Sequence, residues 1–194
     1  GEQWAKERGA FWLDGAILAY PREVGDAALI CIAGEEQAYE QCRPLLDELT
    51  SDIRYLGDAV GAAAALDVAV LSYYICSHLG LVHGAMICQS EQVPADLLSS
   101  IIVQSLPGDS EEIAHLGQAL ATGKFSEPGA SLGVYHGVLR RILSQAQAAG
   151  INAEIPRFAA GIIERGMAAG LADEEVVSVI KVLKRQSAAQ EPDN

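Results

Sequence analysis

The sequence predicts a mainly α-helical fold: a long helix and a helical bundle, preceded by the last strands of a truncated α/β sheet. Three observations lead to this prediction. Short apolar runs of β type alternate with a helical pattern over residues 1–57. One apolar segment without proline, rich in alanine, glycine, valine and leucine, fills residues 61–88. Beyond residue 94, apolar side chains recur at helical spacing almost to the end of the chain.

The amino-terminal part is predicted to contain three strands. Its elements are a helix end, two strands, a helix and a third strand, over residues 2–8, 11–17, 27–34, 35–49 and 52–57. Residues 19–26, with Pro21 and Gly25, form the loop between the first two strands. An intact doubly wound domain would begin with a strand, a glycine-rich turn and a helix. No G-x-G-x-x-G follows a predicted strand in this sequence, so we expect the front of the sheet to be missing.

A single long helix is predicted over residues 59–88. Because it is apolar on nearly every side, we expect it to be buried on nearly every side, with other helices packed closely against its small residues. The later helices are predicted over residues 94–105, 109–122, 130–149, 155–169 and 173–185. Asp173 is the expected N-cap of the last helix. Residues 187–194 are expected to form a disordered tail.

The composition limits the partners and the compartment. The formal net charge is −13, from 26 acidic and 13 basic side chains, so neither nucleic acid nor an anionic membrane surface is an expected partner. Five polar residues interrupt the long apolar segment: Asp67, Ser72, Ser77, His78 and His83. A membrane span would not tolerate that mixture. The cysteines and histidines lack metal-site spacing, and the four cysteines are expected to be reduced, buried thiols. We therefore predict a soluble, cytoplasmic protein without a metal site.

Asp67 is the leading candidate for a catalytic role. A carboxylate inside an apolar helix costs free energy unless it is paired, hydrated or functional. On a helix, Leu71, Tyr74 and His78 lie on the same face as Asp67. Burial raises the pKa of a carboxyl and so suits it to donate or anchor a proton near neutral pH. Asp67 is equally well explained as a buried acid with a purely structural role, and Tyr74 as an aromatic residue of the core.

Three stretches of the sequence resemble one enzyme family. The first is FWLDGAILAYPREVGDAALICIAG (11–34). The second is YLGDAVGAAAALDVAVL (55–71), followed by GLVHG (80–84). The third is INAEIPRFAAGIIERGMAAGLADEEVVSVIKVLK (151–184). Together, and in order, they resemble the imine reductases and reductive aminases, a branch of the β-hydroxyacid dehydrogenase superfamily with a 6-phosphogluconate dehydrogenase-like carboxy-terminal domain.

The resemblance implies a two-domain enzyme. Residues 1–57 would be the carboxy-terminal remnant of a Rossmann-type cofactor domain, and residues 58–186 a helical domain for substrate binding and dimerisation. Two subunits would interlock their helical domains into a homodimer, so that one subunit's cofactor domain and its partner's helices form each active site. The chemistry would be hydride transfer from NADPH to the carbon of a C=N bond. Asp67 matches a family position that carries aspartate or tyrosine, and would protonate or anchor the iminium nitrogen.

The same resemblance implies that Ile17, Leu18 and Ala19 line the substrate pocket. β-Hydroxyacid dehydrogenases carry a substrate-binding serine and glycines at the positions of Leu18, Ala19 and Tyr20, and a catalytic lysine at the position of Ala65. These replacements remove groups that would hold a carboxylate. An imine, or a carbonyl compound with an amine, therefore fits better as the substrate than a small hydroxy acid.

Three functions stay open from the sequence. The preferred one is a piece of an NADPH-dependent imine reductase whose glycine-rich turn is absent from the chain, so that the chain alone would bind the cofactor poorly or not at all. The second is a stand-alone helical domain for dimerisation or small-ligand binding, without redox activity. The third, a reductase of the β-hydroxyacid dehydrogenase type, is disfavoured by Ala65.

Overall fold

The computed structural model describes residues 1–187, which divide into two compact units, Gly1–Ser77 and the chain from His78 onward. The boundary falls inside the long helix, whereas the sequence analysis sets it between residues 57 and 58. The first turn of that helix packs on the sheet of the first unit. Apart from Ser187, the tail predicted over 187–194 lies outside the described residues.

The first unit contains a small sheet with helices on both faces. Its elements are α1 Glu2–Lys6, β1 Leu13–Leu18, β2 Leu29–Gly34, α2 Glu36–Leu46, β3 Asp52–Tyr55 and the start of the long helix α3, Ala62–Ser90. The predicted order of strands and helices is confirmed. The strand order is β1-β2-β3, with β1 antiparallel and β3 parallel to β2. A short loop reverses the chain between β1 and β2, and α2 forms the crossover that parallel pairing requires.

The two faces of the sheet have different cores. One face packs small residues of β1 and β2 against Ala63 in the first turn of α3. The opposite face packs Ile30 and Ile32 of β2 against Tyr39 of α2. The Tyr39 ring also stacks on Tyr55 of β3, with 4.6 Å between ring centroids. Strand β2 is therefore buried on both faces, as its continuous apolar run predicts.

The long helix α3 spans Ala62–Ser90, which confirms its prediction. Its expected burial on nearly every side is wrong for this chain, because residues 71–82 are all exposed and only Ala63 and His83 are buried. An apolar helical surface is buried only where another element lies against it, and the described chain supplies too few such elements. By length and composition alone, α3 is also the one described helix that could cross a membrane.

The cysteines differ in burial, whereas four buried thiols are predicted. All four are free, and Cys31 is buried in the centre of β2. Burial raises the pKa of the Cys31 thiol, which keeps it protonated and unreactive. Cys42 and Cys88 are partly buried. Cys76 is exposed, so the expectation of four buried thiols is wrong at this position, which lies on the uncovered stretch of α3.

The second unit is helical. After the end of α3 its elements are α4 Ala95–Thr122, α5 Leu132–Ala149, α6 Glu154–Ala168, a 3-10 helix Val176–Val179 and α7 Ile180–Ser187. Leu132 of α5, Ile163 of α6 and Leu171 form its core. Gly166 lets α6 approach this core closely, since a β-carbon there would lie 2.7 Å from Cδ2 of Leu132. The mainly α-helical fold class is confirmed.

One predicted break between helices is absent. Separate helices are predicted over 94–105 and 109–122, with Pro107 and Gly108 between them. In the structure α4 continues through both residues. Proline removes one backbone hydrogen bond from the helix interior. The turns on either side still form their own bonds, so this single loss does not end the helix.

The last helix begins later than predicted. Instead of a helix over 173–185, a 3-10 segment precedes α7, which starts at Ile180. Glu175 caps the 3-10 segment by accepting a hydrogen bond from the Val176 N–H, so Asp173 does not serve as the predicted N-cap. The Glu175 side chain is buried, and its other hydrogen bonds, described below, hold this turn out of helical register.

Candidate functional site

Asp67 lies in the second turn of α3 and is half-buried. Leu71 and Tyr74 follow on the same helical face and are exposed, Tyr74 by 50%. The Tyr74 ring meets the neighbouring Tyr73 ring edge to face at a centroid distance of 5.8 Å. Tyr74 is therefore not a core aromatic residue within this chain. The acid, the aliphatic residue and the phenol form an open face that another molecule can reach.

His78, the fourth residue of the predicted stripe, is exposed and is the first residue of the second unit. His83, further along α3, is buried as expected for a packing residue. Its Nε2 atom has no hydrogen-bond partner among the described residues. No group of three or more metal-ligating side chains occurs in the part of the chain that the structure describes.

The start of α3 is held by a residue that the sequence analysis does not single out. Oδ2 of Asp14, in β1, accepts a hydrogen bond from the backbone N–H of Ala64 at 3.0 Å. The only sequence signal was one acid within an apolar strand. Next to this bond, Ala63 is fully buried against Ala16 and its neighbours on the sheet. Asp67 therefore sits one helical turn beyond a doubly anchored contact between strand and helix.

The predicted pocket residues of β1 separate on the two faces of the sheet. Leu18 shares the face of Ala16 and packs against the cluster that contains Ala63 of α3. Ala19 follows the end of the strand and is half-buried. Ile17 is paired with Ile30 on the opposite face and is 51% exposed. The structure thus brings Leu18, but not Ile17, to the side of the sheet on which α3 begins.

A second polar centre, in the second unit, also escaped the sequence analysis. The Glu175 side chain is 1% exposed and accepts hydrogen bonds from the N–H groups of Gly129, at 2.9 Å, and Val176, at 2.8 Å. Nε2 of His115 lies 2.9 Å from Oε2 of Glu175. Burial alone would raise the pKa of Glu175, but the two backbone hydrogen bonds and His115 outweigh it and lower this pKa.

This centre is structural. Glu175 joins α4, the loop before α5 and the turn before α7, because its three partners come from these separate parts of the second unit. Three of its hydrogen bonds are made within the chain, and its burial keeps a substrate from reaching the carboxylate. Glu175 follows two other acidic residues, and the sequence does not show which of the three is buried.

The turn between β2 and α2 does not fit the pyrophosphate of a dinucleotide. In this turn, Glu35 is the N-cap residue and Glu36 is the first residue of the helix. Two carboxylates at a helix N-terminus repel a phosphate that the backbone N–H groups would otherwise attract. Gly34 in this turn has φ of +131°, and a β-carbon there would lie 2.5 Å from the Trp12 carbonyl oxygen. Its lack of a side chain serves the packing of β1, not a ligand.

A cavity in the second unit lies apart from the predicted site residues. It is open to solvent, has a volume of about 370 Å³, and is lined by Ile87, Val138, Arg141, Ile142 and Gln145. These residues belong to the end of α3 and to α5. Gln145 donates a hydrogen bond to Glu91 at 2.7 Å. None of the residues predicted to bind substrate contributes to its lining.

Comparisons with known proteins agree with the fold. Residues 59–185 match a family described as NADPH-dependent reductive aminase-like, C-terminal domain. The imine reductase from Myxococcus stipitatus in complex with NADP⁺ aligns with a TM-score of 0.84 at 23% identity, over 94% of this chain and 64% of that one. The reductive aminase from Aspergillus terreus in complex with NADPH and ethyl levulinate aligns with a TM-score of 0.82 at 25% identity, over 93% of this chain and 64% of that one.

A Bacillus subtilis protein, named as the uncharacterized oxidoreductase YfjR, is 25% identical over 181 residues, which are 92% of this chain and 62% of the relative. The chain therefore spans less than two thirds of the length of these relatives. The family match covers more than half of the chain and includes Asp67, the whole of α3 and helices α4 to α6. On these grounds the chain belongs to the NADPH-dependent reductive aminase-like family, of which it contains the C-terminal domain.

Proposed function

We propose that this chain is the substrate-binding and dimerisation half of an NADPH-dependent oxidoreductase that reduces C=N bonds. The observation that carries the proposal is the position of Asp67, an acid on an open face of a helix that lies within the family match. The remaining third of each relative's length, which this chain does not cover, is where we expect the residues that hold the cofactor. This expectation agrees with the poor fit of the turn between β2 and α2 to a pyrophosphate.

Asp67 is proposed to act on the nitrogen side of the reaction. Reduction of a neutral imine adds a hydride to carbon and a proton to nitrogen, whereas an iminium ion already carries that proton and needs only the hydride. A half-buried carboxyl can hold a cationic nitrogen by a charge-assisted hydrogen bond, or donate its proton to a neutral imine. Leu71 and Tyr74 offer apolar surface beside it, and the Tyr74 hydroxyl adds a polar group. NADPH, when bound by the intact protein, would supply the hydride.

The substrate is proposed to be a small imine, or a carbonyl compound together with an amine. The Aspergillus terreus reductive aminase is known in complex with NADPH4, cyclohexanone and allyl amine. In this chain we propose Leu18, Ala19 and Leu71 as apolar walls of the substrate site. Ile17 is also expected to line the pocket, but it lies on the opposite face of the sheet. It would therefore reach the pocket only from a second copy of the chain, or if β1 were packed differently.

A second copy of the chain is proposed to cover the exposed part of α3. Its uncovered apolar residues repeat at helical spacing along one stripe: Val68, Leu71, Ile75, Leu79 and Val82. A soluble monomer rarely exposes a continuous apolar surface of this length. A bilayer is the weaker alternative, since Asp67 and His83 would be costly within lipid. The homodimer also explains why a helix so rich in small residues is uncovered in a single chain. We further propose a cytoplasmic location, which the free thiols suit.

The same exposed helix supports a second candidate function, a helical domain that dimerises without redox activity. The two candidates agree on a dimer and differ on turnover. A third possibility, reduction of a hydroxy acid's keto form, lacks its lysine, since the expected position is Ala65 in the first turns of α3. Only the first candidate requires Asp67 to affect a reaction.

The test is the oxidation of NADPH by the protein that contains this chain together with its cofactor-binding residues, with cyclohexanone and allylamine as substrates. Asp67→Ala is expected to lower turnover by about 10²-fold or more. Asp96→Ala removes an exposed aspartate from the first turn of α4 and should leave turnover unchanged. Unchanged turnover in Asp67→Ala would remove Asp67 from the mechanism. A stable dimer without any C=N reduction would favour the second candidate.

A further inference from the structure

The first turn of α3 obtains its capping group from a distant part of the chain. The first backbone N–H groups of a helix have no partner within the helix. The residues just before α3 are Ala59, Val60 and Gly61, none of which has a side-chain oxygen. The nearest acid, Asp58, already accepts a hydrogen bond from the Tyr55 hydroxyl at 2.8 Å. The Ala59 carbonyl accepts the Ala62 N–H at 3.0 Å, whereas the acceptor of the Ala64 N–H is a side chain from a distant part of the chain.

Asp14 supplies this cap from β1. Its Oδ2 atom accepts the Ala64 N–H at 3.0 Å across 50 residues of sequence. The negative charge also interacts favourably with the positive end of the helix dipole. Ala63, beside it, is fully buried against the small residues Ala16 and Ala33 of the sheet. Contacts between such small side chains bring the helix close but resist its rotation weakly, whereas a hydrogen bond is directional.

The same turn determines where Asp67 points. Residues three and four apart share a helical face, so Asp67 lies on the face of Ala63 and Ala64, one turn further along α3. Successive residues of β1 alternate between faces, so Asp14 also shares the strand face of Leu18. One carboxylate thus links the strand that offers the Leu18 wall to the helix that presents the acid.

We propose that Asp14 is a positioning residue for the reaction: by capping α3 from β1, it sets Asp67 in register with the substrate wall at Leu18. This inference rests on the proposed function of Asp67. Asp14 itself has no contact with substrate in this account. Without the cap, the first turn of α3 frays and rotates, and the carboxyl of Asp67 leaves its productive position. A displacement of about 1 Å can lower a rate by about 10²-fold.

The experiment measures kcat and KM for imine reduction by the protein that contains this chain and its cofactor-binding residues. Asp14→Ala is expected to lower kcat by about 10- to 100-fold, while Asp14→Asn, which keeps a capping oxygen, should recover to within about threefold of wild type. The matched control is Asn152→Ala, which removes a similar cap, since Oδ1 of Asn152 accepts the Glu154 N–H at 2.8 Å at the start of α6. Both Asn152→Ala and Asp14→Ala should lower Tm by about 2–4 °C, but Asn152→Ala should leave kcat unchanged.

Combination with Asp67→Ala separates positioning from a general loss of stability. If Asp14 acts through Asp67, the double variant Asp14→Ala/Asp67→Ala should have the same kcat as Asp67→Ala alone. The inference would be overturned if Asp14→Ala lowered kcat by the same factor in the Asp67→Ala variant as in wild type. A kcat for Asp14→Ala equal to that of Asn152→Ala would also overturn it. If Asp14→Ala does not fold, Asp14→Ser offers the same comparison, with faster amide hydrogen exchange at Ala64 as its structural readout.

The two proposals fail in different ways. Full turnover in Asp67→Ala would overturn the role of Asp67, and the role of Asp14 with it. Strong dependence on Asp67 combined with wild-type kcat in Asp14→Ala would overturn only the inference about Asp14.

Discussion

The buried carboxylate of Glu175 allows a change in stability to be worked from the geometry of the second unit. Replacing Glu175 with alanine leaves the N–H groups of Gly129 and Val176 without their acceptor. Each of these partly buried donors is expected to cost about 1–2 kcal/mol when unsatisfied. His115 is 45% exposed and can turn to water, so its loss adds little. The expected decrease in the free energy of unfolding is therefore about 2–4 kcal/mol.

Glu174→Ala is the matched control for this change. Glu174 is the adjacent acid and forms a partly exposed ion pair with Lys181. Such pairs contribute about 0–1 kcal/mol. The assay is equilibrium urea unfolding of the chain followed by circular dichroism, with all variants at one protein concentration, because dimerisation would make the midpoint depend on concentration. A loss in Glu175→Ala no larger than the loss in Glu174→Ala would refute the reasoning.

The pH dependence gives the same prediction a second readout. The pKa of Glu175 is lowered in the folded state, so its ionised form stabilises the fold. This contribution is fully present above the ordinary carboxyl value of 4.5 and is lost as the pH falls through the lower folded-state pKa. The stability difference between wild type and Glu175→Gln should therefore be constant near neutral pH and shrink in acid. A difference that grows in acid would contradict the assignment.

Three further predictions concern other parts of the chain. Ile75→Lys should convert a dimer into a monomer in sedimentation velocity, while Leu45→Lys, on α2, should leave the mass unchanged. Gly166→Ala should destabilise the chain by about 1–3 kcal/mol in urea unfolding, because its β-carbon would overlap a core leucine, whereas Gly161→Ala on the same helix has open space and should not. Burial and the hydrogen bond to a neighbouring acid raise the pKa of Tyr55 to about 12. In an ultraviolet titration one phenol should therefore ionise near pH 12, and this step should be absent from Tyr55→Phe. Titration of all six phenols together would contradict this.

Local patterns predicted most of the secondary structure. The apolar run over 27–34 became β2, and the segment without proline became α3, because strand and helix formation there agree with both periodicity and length. The prediction failed at two helix boundaries. Helix α4 continues through Pro107, because the turns on either side keep their own hydrogen bonds. Asp173 does not cap the last helix, because Glu175 caps the 3-10 segment before it.

The candidate site could be predicted only in part, because its geometry depends on contacts between distant residues. The acid at Asp67 is visible in the sequence as a charge within an apolar helix. Its anchor is not, since Asp14 reaches Ala64 across 50 residues. The burial of Glu175 is hidden in the same way, because its partner His115 lies 60 residues away. An apolar pattern also does not state which molecule covers it, which is why the exposure of α3 could not be foreseen.

The central claim is that this chain provides the nitrogen side of C=N reduction through Asp67. Its most direct test is the imine turnover of Asp67→Asn, in the protein that contains this chain with its cofactor-binding residues. The variant and the wild type are first shown to have the same dimer mass and the same Tm. The variant keeps the shape of the side chain and removes its charge and its acidic proton. We expect kcat to fall by about 10²-fold or more while the dimer and its stability are retained. Imine reduction at the wild-type rate would contradict the claim.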